Sequence, residues 1–207
     1  PGDAERHQDV ARHVAPALGA LLAEHPALRL RLLVDDAPID LINTRIDLAV
    51  RFGRLQDSTW AARRLGGMQQ WLCAAPAWVA AHGQPQHPDA LLSHSWLGLA
   101  REGSGLVVNL HSPTGEPRAL RVEPRIASNN QLSIQQMCEA GLGLALMGSM
   151  DVQEALQAGR LVRLLPDWSF GTLAIWAVTP QRDAQPAKVR MAIAALHRYF
   201  QQLPGAG

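Results

Sequence analysis

The sequence predicts an α/β protein built as two lobes. Three observations carry this. Apolar strands alternate with amphipathic helices along most of the chain, an antiparallel hairpin interrupts the alternation midway, and 207 residues fall between one large domain and two small ones. The alternation implies a sheet joined by right-handed crossovers, and its irregularity, with no internal repeat, argues against a barrel. Ligands of such folds gather where strand ends face a cleft.

Val10, Val14, Leu18, Leu21 and Leu22 recur at helical spacing until Pro26. Leu28, Leu30 and Leu32 then alternate with Arg29 and Arg31 as in a strand. Pro38 suits the first turn of a short helix carrying Ile39 and Ile42, and Ile46 to Val50 reads as a buried strand closed by Gly53. "QQWLCAA" is another apolar strand. Pro76 starts the helix "PAWVAAH" and Gly83 follows it, an asymmetry expected of helix termini. "HPDALLSH" is a short helix and "WLGLA" a strand. "GLVVNL" and "RALRVE" flank Pro113 and Gly115, which supply the turn of a hairpin. After the strand "RIAS" come a helix, the strand "LALM", a helix from Ser149 to Gly159 and the strand "LVRLL". The strand "LAIWAV" and a last helix, "PAKVRMAIAALHRYF", which can return to the first, complete the chain.

Composition narrows the function. Apolar residues at 47% and charged residues at 18% are globular values, and a net charge of +1 provides no basic face for a nucleic-acid backbone. Cys73 and Cys138 form neither a CxxC pair nor a disulfide framework, so a reducing compartment and two buried thiols are expected. No apolar run reaches membrane-spanning length and no signal peptide opens the chain, so a soluble, unsecreted, cytoplasmic protein is expected. The start at Pro1 is that of a processed or excised piece.

The glycines Gly141, Gly143 and Gly148 suggest a nucleotide loop, but such a loop follows a strand and opens a helix. Here the order is reversed: Ile134, Met137, Cys138 and Gly141 form a helical stripe, so Gly141 is a helix exit and Gly143 a tight helix-to-strand contact. The other end of that helix is the better candidate. Ser128, Asn129 and Asn130 lie between strand and helix, where free N–H groups and the helix dipole favour an anion. Plain N-capping explains one such residue and a ligand explains three; the sequence leaves both open. Arg51, after an apolar strand, has the planar donor set for a carboxylate, or for a structural pair with Asp35 or Asp36, which could themselves cap the helix at Pro38.

The spacings of His82, His87 and His94 do not place them on one face as a HExxH helix does, so no metal is expected. No serine sits in GxSxG, and no nucleophile, metal set or acid-base pair marks an enzyme; no cofactor is expected. The six tryptophans lie mainly in apolar segments, where packing is the ordinary role.

"IDLAVRFGRLQDSTWAARRL", "WLCAAPAWVAAHGQPQHPDALLSH", "AGLGLALM", "GRLVRLLPDW" and "PAKVRMAIAALHRYF", in this order and spacing, resemble the effector-binding domain of LysR-type transcriptional regulators over nearly the whole chain. The resemblance implies two Rossmann-like lobes of the type II periplasmic-binding-protein fold joined by two crossing strands. Lobe I would be 1–75 with 168–207, and lobe II 76–167. It implies a small-molecule effector in the cleft, held by the loop from Gly2 to His7, by Arg51, Phe52 and Gly53, by Ala75 and Pro76, and by Ser128, Asn129 and Asn130. A carboxylate is the group these residues would suit. It also implies a homodimer through "APALGALLAEH" and "PAWVAAH", a tetramer in the full-length regulator, and DNA binding only through an N-terminal winged helix-turn-helix absent from this chain. The opening "PGDAERHQDVARHV" departs from the family in being longer and more charged. A periplasmic solute-binding protein of the same fold is the alternative, and reading the upstream coding sequence separates the two.

Overall fold

The structure, a computed structural model, describes residues 10–33, 46–55, 60–99, 105–180 and 185–203. The chain divides into two compact units, Pro1–Met68 with Leu173–Gly207, and Gln69–Thr172. Two strands carry the chain from one unit to the other, Trp60–Ala74 and Thr172–Pro180.

In the first unit, helix α1 (Val10–Glu24) ends before Pro26 and buries Val14, Ala17, Leu18 and Leu21 on one side, as the helical spacing requires. Strand β1 (Ala49–Phe52) starts later than its apolar run suggests. The strand β2 is Trp60–Ala74, of which the sequence announces only the apolar second half, from Gln69. The carboxyl-terminal helix does return to the first: α5 (Ala187–Gln202) packs on α1, where His13 Nδ1 lies 3.0 Å from the Tyr199 hydroxyl. Phe200 is fully buried in this unit, and the Gln201 amide donates to the Leu65 carbonyl at 2.9 Å.

One expected strand is not formed. Residues 28–33 have no strand geometry, and Leu30, Leu32 and Leu33 are 49%, 43% and 45% exposed. Alternation prepares a strand, but a neighbour must accept its backbone hydrogen bonds, and no described strand pairs there. The expected helix at Pro38 lies outside the described residues.

In the second unit, helix α2 (Pro76–His82) and a 3-10 turn (Pro88–Ser93) precede strand β3 (Trp96–Leu99). Strands β4 (Leu106–His111) and β5 (Pro117–Val122) form the expected hairpin, with Gly115 at φ +87° in its turn. Strand β6 (Pro124–Ser128), helix α3 (Gln131–Glu139), strand β7 (Leu144–Gly148), helix α4 (Ser149–Gln157) and strand β8 (Val162–Leu164) follow. The last strand, β9, is Thr172–Pro180 and pairs antiparallel with β1. The sheet of this unit runs β8, β2, β7, β3, β6, with β3 parallel to both β7 and β6 and β2 antiparallel to β7 and β8.

Both faces of this sheet are covered. Leu72, Ala74, Trp96 and Leu144 enter one apolar cluster with Trp78, Leu91 and the inner residues of the hairpin. Cys73, Leu97, Ala145 and Met147 enter the other with Ile134 and Cys138 of α3 and Val152 and Ala155 of α4. The period-two alternation of the strands therefore sorts each side chain into one layer or the other.

The joint between α3 and β7 is the tightest point. Gly141 has φ +80°, and the Gly141 N–H donates to the Cys138 carbonyl at 2.9 Å. At Gly143 a Cβ would stand 2.5 Å from the Ser95 carbonyl oxygen, a backbone atom that cannot swing aside. The two glycines are thus a helix exit and a close backbone approach, as their order implies. Gly143→Ala should lower the urea-unfolding free energy by about 2 kcal/mol, an overpacking cost. Gly19→Ala, at a helical site with nothing within 4 Å, should raise it by roughly 0.5–1 kcal/mol.

Candidate functional site

In the second unit the strands β6 and β7 run parallel on either side of β3, so their carboxyl ends share one edge of the sheet. Each leads into a helix at that edge: α3 starts after Ser128–Asn130, and α4 directly after Gly148. Two helix amino termini with their free N–H groups and positive dipole ends therefore gather along the edge where α/β sheets bind ligands.

Local hydrogen bonds set the first of these termini. Asn130 is the N-cap of α3, its Oδ1 accepting from the Ser133 N–H at 2.9 Å. Ser128 Oγ accepts from the Asn130 N–H at 3.1 Å, and Ser128 is paired with Leu99 at the end of β3. Asn129 between them is exposed. Capping thus accounts for Asn130, while Ser128 braces the turn and Asn129 remains presented to solvent.

The sequence reading missed two residues here. Gln131 and Ser149 are the first residues of α3 and α4, only 2% and 3% exposed, and Gln131 Nε2 and Ser149 Oγ have no hydrogen-bond partner among the described residues. A buried amide or hydroxyl without a partner costs about 1–3 kcal/mol. That two such groups open the two helices at one sheet edge is what a polar ligand or bound water would relieve. In sequence they look like ordinary first-turn residues. Gln70 is also brought here, since the antiparallel register places it opposite Gly148.

Ala75 and Pro76 lie elsewhere. They open α2 at the other end of β2's second half; Ala75 is 2% exposed, and its Cβ is 4.0 Å from the Cβ position of Gly141, beyond the carboxyl end of α3. A helix advances about 1.5 Å per residue, so the 9 residues of α3 hold Ala75 well over 10 Å from Ser128–Asn130. The structure does not bring these two groups together.

In the first unit, Arg51, Phe52 and Gly53 form the end of β1. Arg51 pairs with Trp176 and Phe52 with Ile175 in the ladder, so their side chains leave on opposite faces. Arg51 is 6% exposed, a charged group held out of water. Phe52 belongs to the core. Gly53, at φ +88°, donates its N–H to the Ala174 carbonyl at 2.8 Å and accepts from Trp176 Nε1 at 2.9 Å. The glycine and the indole together fix the strand end that carries Arg51. Asp35, Asp36 and the segment from Gly2 to His7 lie outside the described residues.

The cysteines are not reactive groups. Both are free and fully buried, and the Cys138 thiol donates to the Cys73 carbonyl at 3.4 Å. Burial pushes the Cys73 thiol up to about 12, only partly opposed by Arg163; burial, and then Cys73 and Glu139, push Cys138 higher still. Arg163 itself stacks over Trp71, its guanidinium carbon 4.9 Å from the ring centroid. Among the described residues no group of three or more His, Cys, Asp or Glu could hold a metal ion.

The LysR substrate binding domain family profile matches residues 9–201. The transcriptional regulator DmlR of Escherichia coli K12 is 37% identical over 90% of this chain and 61% of its own length. The chain thus spans about three fifths of that relative. The regulatory domain of CrgA, a LysR-type transcriptional regulator from Neisseria meningitidis, superimposes with a TM-score of 0.81 at 26% identity, covering 93% of this chain and 95% of that one. The full-length Vibrio cholerae virulence activator AphB gives a TM-score of 0.75 at 29% identity over 89% of this chain and 62% of that one.

Two outcomes follow from this geometry. Asn130→Ala should cost about 1 kcal/mol of unfolding free energy, largely recovered by Asn130→Asp, measured by chemical denaturation. Both thiols should resist iodoacetamide at neutral pH and react on unfolding in urea. Because their pKa values are raised on folding, the native state keeps protons that the unfolded state loses above the usual thiol value of 9.0. The stability they contribute should therefore be complete below pH 9.0 and decline as pH rises toward about 12, which urea midpoints across that range would record.

Proposed function

The chain belongs to the LysR substrate binding domain family, and on that premise we propose that it is the effector-sensing and oligomerisation part of a bacterial transcriptional regulator. The observation that carries the reading is a pair of buried polar groups with no hydrogen-bond partner among the described residues, Gln131 Nε2 and Ser149 Oγ, at the two helix amino termini of one sheet edge. Such groups take a small polar or anionic molecule without paying a fresh desolvation cost for the protein.

In this reading Ser128, Asn129 and Asn130 hold the effector's polar end. Arg51, on a strand end fixed by Phe52 and Gly53, is the charge complement of a carboxylate. Ala75 and Pro76, contacts that the family resemblance implies, lie beyond the carboxyl end of α3, well over 10 Å from Ser128–Asn130, and take no part in this site. The two units, 1–68 with 173–207 and 69–172, act as regulatory lobes I and II, whose bounds the family resemblance draws a few residues away, at 1–75 with 168–207 and at 76–167. The domain pairs with a second copy, as tetramers in the full-length protein, and DNA is bound by a separate amino-terminal domain in the cytoplasm. No bond is made or broken: the effector acts by binding one arrangement of the oligomer better than another, and its differential affinity sets the size of the response. Among the described residues no helix is long and apolar enough to cross a membrane.

Calorimetry of this chain against a panel of small mono- and dicarboxylates tests the reading. At least one should bind in the micromolar range or tighter, and Asn129→Ala and Arg51→Met should each weaken it by about tenfold, the loss of a charge-assisted or ordinary ligand hydrogen bond. Circular dichroism on the variants separates lost binding from lost fold. Unchanged affinity in both would remove these residues from the site.

A further inference from the structure

The spacing of His82, His87 and His94 sets them on no common helix face, yet the fold brings two of them together. His82 at the end of α2 and His94 after the 3-10 turn stand with ring centroids 5.4 Å apart at 83°. Trp78 holds both: it stacks on His82 at 4.6 Å and 18°, and meets His94 edge-on at 4.8 Å. His82 Nδ1 lies 2.9 Å from the Trp78 carbonyl oxygen. A carbonyl can only accept, so Nδ1 is the donor here, and in the neutral imidazole Nε2 then keeps its lone pair. This is how metal-bound imidazoles are oriented, their second nitrogen donating to a carbonyl or carboxylate.

We propose that His82 and His94 form a two-imidazole site for a borderline divalent transition cation, Zn2+, Ni2+ or Cu2+. A cation about 2.0–2.1 Å from each ring nitrogen, in tetrahedral array, sets the two centroids roughly 5 Å apart. The observed centroid separation of 5.4 Å is close to that value. His82 is exposed and His94 half-buried, so the remaining positions are open to water or to a donor from another molecule. Imidazole selects this class of cation over Mg2+ or Ca2+, which want oxygen. Trp78 is 4% exposed and belongs to the core, so the two rings are held by a rigid wall and little ordering remains to be done on binding. The site lies at the α2 end of the second unit and is independent of the effector reading. Neither can fail through the other.

Equilibrium dialysis of the untagged protein against Zn2+ and Ni2+ at neutral pH tests it. One equivalent should bind with micromolar affinity, Mg2+ should not compete, and His82→Gln and His94→Gln should each weaken binding by about tenfold or more. His87→Gln, whose ring packs on Trp168 instead, should not. In the unsubstituted protein Zn2+ should slow acylation of His82 and His94 by diethyl pyrocarbonate and leave His25 and His197 unaffected. Absence of saturable binding, binding that survives both substitutions, or equal protection of all histidines would overturn the proposal.

Discussion

The need to bury both faces of one sheet governs the second unit. Leu72, Cys73 and Ala74 on β2 are all inaccessible to solvent, and the alternation sends Cys73 to the layer of α3 and α4 and its neighbours to the layer of α2 and the hairpin. Leu144 and Ala145 on β7, and Trp96 and Leu97 on β3, divide in the same way. Such strands have no side-chain position left for polar chemistry, so it can appear only at their ends. The placement of Ser128, Gln131 and Ser149 at strand ends is a consequence of the core rather than an addition to it.

The same constraint explains the glycines. For α3 to lie flat on its layer, the chain must turn from helix to strand within a few residues and pass against the backbone of Ser95. Gly141 supplies the left-handed turn and Gly143 the missing side chain. That exit fixes the direction of α3, and its direction puts the amino terminus, with its dipole and its polar cap, at the opposite edge. Glycines and candidate ligand residues belong to one device, the first holding the helix by its tail so that the second are presented at its head.

What could be read in the sequence follows the range of the interactions. The hairpin around Pro113 and Gly115, the helix from Pro76 to Gly83 and the exit at Gly141 are set by residues a few positions apart, and all three formed as expected. The segment 28–33 carries a strand pattern but no described strand accepts its hydrogen bonds, so pattern alone misled. The first half of β2, Trp60–Met68, is too rich in arginine and glycine to announce itself as a strand. At the candidate site, Ser128 and Asn130 were legible because capping is local. Gln131 and Ser149 were not, because an unpartnered amide is defined by everything around it. The pairing of His82 with His94 escaped for the same reason: it depends on the ring of Trp78, which no spacing rule encodes.

Strand direction sharpens which residues can act together. β2 runs antiparallel to β7, so Gln70 stands opposite Gly148 at the carboxyl edge while Cys73 stands opposite Ala145, further toward the other edge. From Gln70 to Ala75 the chain advances about 3.3 Å per residue, roughly the full width of the sheet. A molecule small enough to sit on the amino termini of α3 and α4 therefore reaches Gln70 and not Ala75, although the two are close in sequence. Strand order thus gathers Ser128 to Gln131, Ser149 and Gln70 at one edge as candidate ligand residues, while Ala75 and Pro76 open α2 on the opposite side and, through it, set the Trp78 wall.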